Sequence, residues 1–550
     1  MAPRPTRVRR KGADGFDRMK RVGRLLSQVP FAPPRPESSG ATTRAVAWTI
    51  FVSVLTLMIS GCVGPNFVPP PAPDAEGYLP GKLASASGGP GEGPPVKTQH
   101  FVSGVDVSSR WWAAFRNAPL NDLIRQSVEH NPSLQSAEAA IKVANYNALA
   151  QRGIWLPQIS GSSTSSQILN SNAGTVFGGD LSQTPQTEFS LVTHALTISF
   201  VPDIWGGNFR AVENLDAVTE QNLFQLEAAY LTLTGNVVTA AIQEASLRGQ
   251  IAETHRVIEI ERRLLGILKN QFQVGHVAQA DVLLQEAALA AAEQLLPPLE
   301  KQLAVQRNLL TALAGQLSAD EILQRFDLKS LKLPSNLPIS LPSKLVDQRP
   351  DVRAAEAAMH AASAQIGVAI AARLPSITIS ANGGTSGYNF AQSFAPGTGF
   401  YTVAAGVAGP IFDGFTLYNK QKAAEAALEQ AEATYRTAVI TAFQNVADAL
   451  RALQADARAL KAAVHAEVAA KASLDIAEKQ LREGQVNLLA VLVAQQTYLT
   501  AVITRVQAEA NRLSDTAALF VALGGGWPTA CQTSLWRECV LGEAALAQRS

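Results

Sequence analysis

The sequence offers little of what an enzyme or a nucleic-acid binder needs. No HExxH, CxxC or GxxxxGK occurs, and the seven histidines are scattered, so no metal, redox or phosphate site is legible. Gly524-Gly525-Gly526 lacks the strand–loop–helix setting of a nucleotide site and reads as a helix terminator. The chain therefore reads as a non-enzyme without cofactor or metal. Charged residues make up only 17%, and the net charge is +1. That sum is uneven: the first 61 residues carry 11 Lys/Arg against 3 Asp/Glu, leaving 35 against 42, a net −7, in the rest. A mildly acidic body gives no footing for nucleic acid. Long apolar runs are scarce too. The only one of note, Ala45 to Ile59, follows Arg44, is too short for a comfortable membrane span, and has the layout of a secretory signal. Cysteine is almost absent. Of three, Cys62 follows the signal-like run, while Cys531 and Cys539 lie in a tail where a disulfide and two separate thiols are equally open.

What is present is alanine, and pattern. A hydrophobic content of 47%, much of it Ala, suits long packed helices. The most informative stretch, Leu341 to Gly384, holds a helix and a strand joined by one proline. Pro350 suits a first helical position, Asp351 and Glu356 suit a positive helix start, and Pro375 ends the helix. The period then changes from 3.6 to 2: Ile377, Ile379 and Ala381 alternate with Ser376, Thr378, Ser380 and Asn382. Such a strand suits either a wall between lipid and water or an ordinary half-buried sheet.

The chain then says similar things twice. LPQISGSSTSS at 156–166 echoes LPSITISANGG at 374–384, and FSLVTHALTISFVPDIW at 189–205 echoes FYTVAAGVAGPIF at 400–412. Each second strand ends in a proline–glycine turn, Pro202 to Gly206 and Pro410 to Gly414. A very long helical pattern follows each, then a glycine turn, Val274-Gly275-His276 or Glu483-Gly484-Gln485, and a returning helix. Whole-domain duplication fits this period better than a solenoid. From Gly206 to Phe272 there is no proline, and Leu226, Tyr230, Leu233, Val237, Ala240, Leu247, Ile251, Ile258, Leu265, Leu268 and Phe272 keep heptad steps, interrupted by Glu244, Thr254 and Glu261. That is roughly 100 Å of helix. The second copy is richer in alanine, which allows closer helix approach, and Pro297-Pro298 should break the first return helix.

Four membrane-type strands cannot close a barrel, and open edges are not tolerated in lipid, so several copies must share one. Two copies would give eight strands with a filled interior; three give twelve and a wet lumen. A homotrimer is favoured. The expected fold class is mixed α and β, mainly α: an outer-membrane barrel continued by a periplasmic coiled-coil barrel.

The motifs also carry a resemblance. Ile59-Ser60-Gly61-Cys62 resembles a bacterial lipobox, whose cysteine receives diacylglycerol and palmitate; a plain signal peptide with a chance cysteine is the other reading. Cys-Val-Gly-Pro-Asn-Phe-Val-Pro-Pro, RPDVRAAEAAMHAASAQIGVAIAARLPSITIS, PIFDGF and LFVALGGGW resemble the TolC-like outer-membrane efflux factors of the NodT/OprM lipoprotein type. The similarity runs from Cys62 to Trp527 and implies these regions: a leader at 1–61, a lipid-anchored extended segment at 62–117, repeats at 118–330 and 331–527, and a tail at 528–550. Trp111 and Trp112 fall where the family's tryptophan-bearing segment leads into the helical barrel, although a Trp pair also suits simple packing.

Resemblance further implies an outer-membrane duct, anchored in outer-membrane lipid and extending into the periplasm. It would work with a periplasmic adaptor and an inner-membrane pump, often of the RND class, to expel drugs or other small molecules. An exit duct of a type I protein secretion system is one alternative; a lipid-anchored coiled-coil spacer with no pore is another, and it leaves the alternating strands unexplained. Val274, Gly275, His276, Glu483, Gly484 and Gln485 are the implied adaptor contacts, with structural helix caps as the other reading. Matching the family's acidic periplasmic gate puts Ala490 and Val493 at two such positions and leaves Asn487 as the nearby polar side chain, so closure is expected to rest on apolar packing, with Leu488, Leu489 and Leu492 as candidates. Val486 falls where some relatives have an arginine, while Asp281 keeps the acidic partner type.

Overall fold

The computed structural model describes residues 63–75, 77–80, 86–87, 97–170 and 187–526. The leader, Cys62, Trp527 and the Cys531/Cys539 tail lie outside these residues. In chain order the elements are β1 (Ala86–Ser87), β2 (Gln99–Ser103), α1 (Ala118–His130), α2 (Pro132–Arg152), β3 (Gln158–Asn170) and β4 (Thr187–Phe200). Then come α3 (Gly207–Gln273), α4 (Gln279–Glu293), α5 (Leu296–Leu313), β5 (Asn336–Ile339), α6 (Pro342–Gln348) and α7 (Pro350–Ala371). The chain closes with β6 (Ser376–Gly387), β7 (Gly399–Ala408), α8 (Thr416–Arg482) and α9 (Leu488–Ala522).

The two longest helices, α3 and α8, have 67 residues each. Pro132 and Pro350 both open helices at their first turn, where a missing N–H costs nothing. The first return helix breaks at Gln294-Leu295 and restarts at Leu296, with the prolines in its first turn. Most of the heptad seam of α3 is buried, from Leu226 to Leu268, but Phe272 is exposed. It sits in the last turn, beyond the packed helices. The interrupting Glu244, Thr254 and Glu261 are buried as well. Glu244 is neutralised by Arg248 at 2.7 Å and Arg307 at 2.8 Å, which makes a buried carboxylate tolerable.

The main core lies midway along the helices. Trp111, Trp112 and Phe115 pack there with Leu226, Tyr230, Leu450, Leu513 and Phe520, and Trp111 stacks on Phe520 at 5.6 Å. The packing reading of the Trp pair is thus realised. Beside this core is a small sheet, β1-β2-β5, in which β2 and β5 run parallel. It was not legible in the sequence. Gln99 of β2 reaches the buried Arg512 at 3.2 Å and Thr516 at 3.1 Å on α9.

Candidate functional site

The second sheet has the order β3-β4-β6-β7, antiparallel throughout. Its register fixes which side chains share a face. Ile159 lies opposite Ile198, Ile198 opposite Ala381, and Ala381 opposite Val403; Phe200, Ile379 and Ala405 share that side. Ser160, Thr197, Asn382 and Thr402 share the other. In the half of the sheet nearest Pro375 and Phe200, one face is therefore apolar and the other carries Ser160, Thr197, Ser199, Thr378, Ser380 and Thr402, whereas farther along Ser163, Ser165, Gln167 and His194 enter the first face and Leu191 and Phe400 the second. The apolar face is no soluble core: Ile159, Leu196, Ile379, Val403 and Val407 are all exposed. An exposed apolar wall with a polar reverse side is the physical form of a lipid–water partition.

At the foot of this wall the chain locks itself together. The Trp205 indole donates to the Pro375 carbonyl at 2.7 Å, joining the turn after β4 to the start of β6. Asp203 accepts from the backbone of Asn208 and Phe209 and so caps α3; Asp413 accepts from Leu417 and caps α8. The segment from Val63 onward, whose structural role the sequence reading missed, is strapped to the same place. Val63 N–H donates to the Trp205 carbonyl at 3.1 Å, and Arg210 donates to Val63 O and to Asn66 at 2.7 Å. Farther along, Phe67 stacks on His360 at 4.5 Å, and Tyr78 donates to Ser340 O. The signal for it was the run of Pro and aromatic residues, which hold an extended chain against a surface.

At the other end of α3 and α8 are the tips. Gly275 and Gly484 have φ of 78° and 71°, the left-handed conformation that ends each long helix. Val274, Gly275, His276, Glu483, Gly484 and Gln485 are all exposed. The two return helices are capped by different devices. Asn487 accepts from Ala490 N at 3.2 Å, whereas in the first repeat Asp281 reaches back to Ala278 N at 3.3 Å. Between the tips runs a groove of about 700 Å³, lined among others by Arg263, His276, Asp281, Glu478, Arg482 and Val486. Asn487 thus has a structural task in addition to any role at an aperture.

The expected gate residues separate in space. Leu488 is buried with Ile258, Leu265 and Val282 inside the chain, and Leu492 packs against that cluster. Both are corrected from aperture candidates to core residues, because α9 turns that face toward α3 and α4. Leu489 and Val493 are exposed, and Ala490 is half-buried.

Three carboxyls in the helical body are pushed up to about 7. Burial does this to Glu227, against the opposing pull of Arg353, and to Glu261, helped by Glu293. Asp456 is raised by burial and by its hydrogen bond to Asp515. Among the described residues no cluster of His, Cys, Asp or Glu could hold a metal ion.

Comparison with known proteins places this geometry. The sequence model of the family described as "Outer membrane efflux protein" matches residues 123–316 and 341–525. The pyoverdine export outer membrane protein OpmQ of Pseudomonas putida is 29% identical over 76% of this chain and 88% of its own length. The outer membrane protein OprJ of Pseudomonas aeruginosa is 26% identical over 88% and 97%. Among solved structures, the outer-membrane channel OprN superposes with a TM-score of 0.73 at 23% identity, over 85% of this chain and all of that one. The Campylobacter jejuni CmeC channel gives 0.74 at 19%, over 85% and 95%. The fold is that of the TolC-like channels. Matched over both segments, the chain belongs to the outer membrane efflux protein family and is the outer-membrane channel component of an efflux pump.

Proposed function

We propose that three copies close one twelve-stranded barrel in the outer membrane and extend it through the periplasm as a helical duct for small molecules, drugs among them. The observation that carries this reading is the sheet β3-β4-β6-β7: an exposed apolar face near its foot, backed there by Ser160, Thr197, Thr378 and Ser380, and edge strands β3 and β7 paired with nothing else among the described residues. Unpaired edges cannot remain in hydrocarbon, and twelve strands leave a water-filled lumen. The duct would receive its cargo from an inner-membrane pump of the RND class through a periplasmic adaptor. The exposed tips and the groove between them are the surface offered to that adaptor. Cys62 would carry the diacylglycerol and palmitate anchor. Support for this comes from its neighbour Val63, which is hydrogen-bonded at the foot of the strands, where the membrane boundary falls. The periplasmic end would close on exposed apolar side chains of α9, Leu489 and Val493, beside Ala490.

The test is made at a tip. Gly484→Val puts a branched side chain where φ is 71°, on a surface with open space around it. Adaptor crosslinking from neighbouring positions is expected to disappear while trimers persist by native mass spectrometry. Loss of the trimer itself would instead make Gly484 a structural cap.

A further inference from the structure

Where α3, α4 and α9 meet near the tip, the wall of the helical body is apolar except at one layer. Ile258, Leu265, Leu268, Val282, Leu289 and Leu488 form its cluster, and Leu492 packs against it. Glu261 falls between Ile258 and Leu265 on α3, and Gln285 between Val282 and Leu289 on α4. The Gln285 amide donates to the backbone carbonyl of Glu261 at 3.2 Å and joins the two helices at this level. Gln495 of α9 comes one heptad after Leu488, so it lies on the face that Leu488 turns to the cluster. Its height follows from the bond that Gln507 donates to Gln250 at 3.2 Å. An equal count of residues toward the tip leads from that pair to Gln495 on α9 and to Arg262, the neighbour of Glu261, on α3.

All three side chains are buried: Glu261 is 5% exposed, Gln285 0% and Gln495 1%. Glu261 Oε2, Gln285 Oε1 and both polar atoms of the Gln495 amide have no hydrogen-bond partner among the described residues. Such atoms cost stability at a level where leucine would cost none. The second repeat shows that the frame does not require them. Aligning the repeats on Gly275 and Gly484 sets Glu261 opposite Ala470 and Gln285 opposite Ala494. Both alanines are buried, and Ala494 packs with Leu474, Ala477 and Val491.

The charges around this layer are engaged elsewhere. On α3, Arg256 pairs with Glu253, Arg263 donates to the Glu259 carbonyl, and Arg262 pairs with Glu259 and with Glu293 of α4. Lys269 pairs with Glu286 of α4, and Asp281 caps that helix. From Leu488 to Thr504, α9 has one titratable side chain, Tyr498, which lies under Lys471 of α8; Lys471 pairs with Asp475. Arg505 holds Glu467 and Glu509, and Glu300 and Lys301 of α5 are exposed. Of these groups Glu293 acts on Glu261, in the same direction as burial. A protonated Glu261, by contrast, has a hydrogen to donate, and the amide oxygens of Gln285 and Gln495 are the acceptors on the two helices that cover it.

We propose that Glu261, Gln285 and Gln495 form a proton-binding site that ties closure of the periplasmic tip to pH. With the proton bound, α9 is held against α3 and α4. With the proton released to water, the carboxylate must be hydrated, and α9 is let go. Gln495 lies on the covered side of the helix that exposes Leu489 and Val493, so the site stands behind the gate and rests on the reading of those residues as the closing surface. The direction follows from burial, which pushes Glu261 up to about 7. A raised acid favours the closed, buried state when protonated. That contribution is complete below about pH 4 and is lost as pH rises through 7, so acid closes the tip and alkali loosens it.

Planar-bilayer recording with the periplasmic side at pH 5 and then pH 8 tests this, with Glu261→Gln as the comparison, since an amide of the same size has no such proton to lose. The open-to-closed ratio of the wild type is expected to rise about tenfold or more between the two pH values, and that of Glu261→Gln to change little. Hydrogen–deuterium exchange over residues 488–499, corrected for the intrinsic effect of pH, gives a readout that needs no conductance. Protection there is expected to fall at pH 8 in the wild type and to hold in Glu261→Gln. A pH response of the same size in the variant would overturn the site and leave the duct standing. So would a wild type with equal open-to-closed ratio and equal protection at both pH values. No conductance at either pH from membrane-inserted protein would overturn the duct; exchange then decides the site alone, a loss of protection at pH 8 confined to the wild type upholding it and equal protection removing it.

Discussion

The first and second halves of this chain share a frame and differ in surface. Both run helix, strand, strand, 67-residue helix, glycine turn and returning helix, with matching strand register. Yet α7 is covered on two sides, and α2 leaves Val143, Tyr146 and Leu149 in the open. A duplicated fold whose copies bury different amounts of the same face has unfinished contacts.

The largest expected effect comes from breaking the difference between the faces of the sheet. Arg in place of Ile377 or Ile379 is expected to impair insertion by about 2–4 kcal/mol near the midplane, read as loss of folded trimer in outer-membrane fractions. The same change at Thr378 or Ser380 should be much milder. By register, Val403 and Ala405 should behave like Ile379, and Thr402 like Thr378. Equal damage on both faces would return the sheet to an ordinary soluble one.

A smaller effect is expected from pH. Glu227, Glu261 and Asp456 are held near 7 in the folded protein, above their values of about 4 in an unfolded chain. A raised acid favours the folded state when protonated. Its stabilising contribution is complete below about pH 4 and is lost as pH rises through 7. Thermal unfolding should therefore come at a higher temperature at pH 5 than at pH 8, and Glu227→Gln should narrow that gap. A gap that is unchanged in the variant would exclude Glu227 from it.

Much of the frame was legible because the sequence changes period where the structure changes element. Pro350 and Pro375 bracket a helix and release a strand, and Gly275 and Gly484 turn the long helices back. The β1-β2-β5 sheet was not legible: its strands are short, and His100 and Asn336 are brought together only by the tertiary fold. The strap from Val63 escaped for a related reason, since an extended segment has no internal hydrogen bonds and its partners, Trp205 and His360, are remote in sequence. Among the candidate gate residues, Leu488 and Leu492 could not be told from Leu489 by type; only the rotation of α9 separates them.

The smallest effect on export is expected at the anchor. Cys62→Ser should abolish acyl labelling, yet it should cost less export than an Arg on the apolar face, because the barrel itself holds the protein in lipid. Normal acyl incorporation into the variant would move the modification elsewhere.

Planar-bilayer recording of the purified protein shows whether this chain forms a closed, water-filled duct. Stable conductance steps are expected, with little block by divalent cations from the periplasmic side, since Ala490 and Val493 offer no carboxylate ring. Strong divalent block would contradict the apolar gate. No conductance from folded, membrane-inserted protein would contradict the duct.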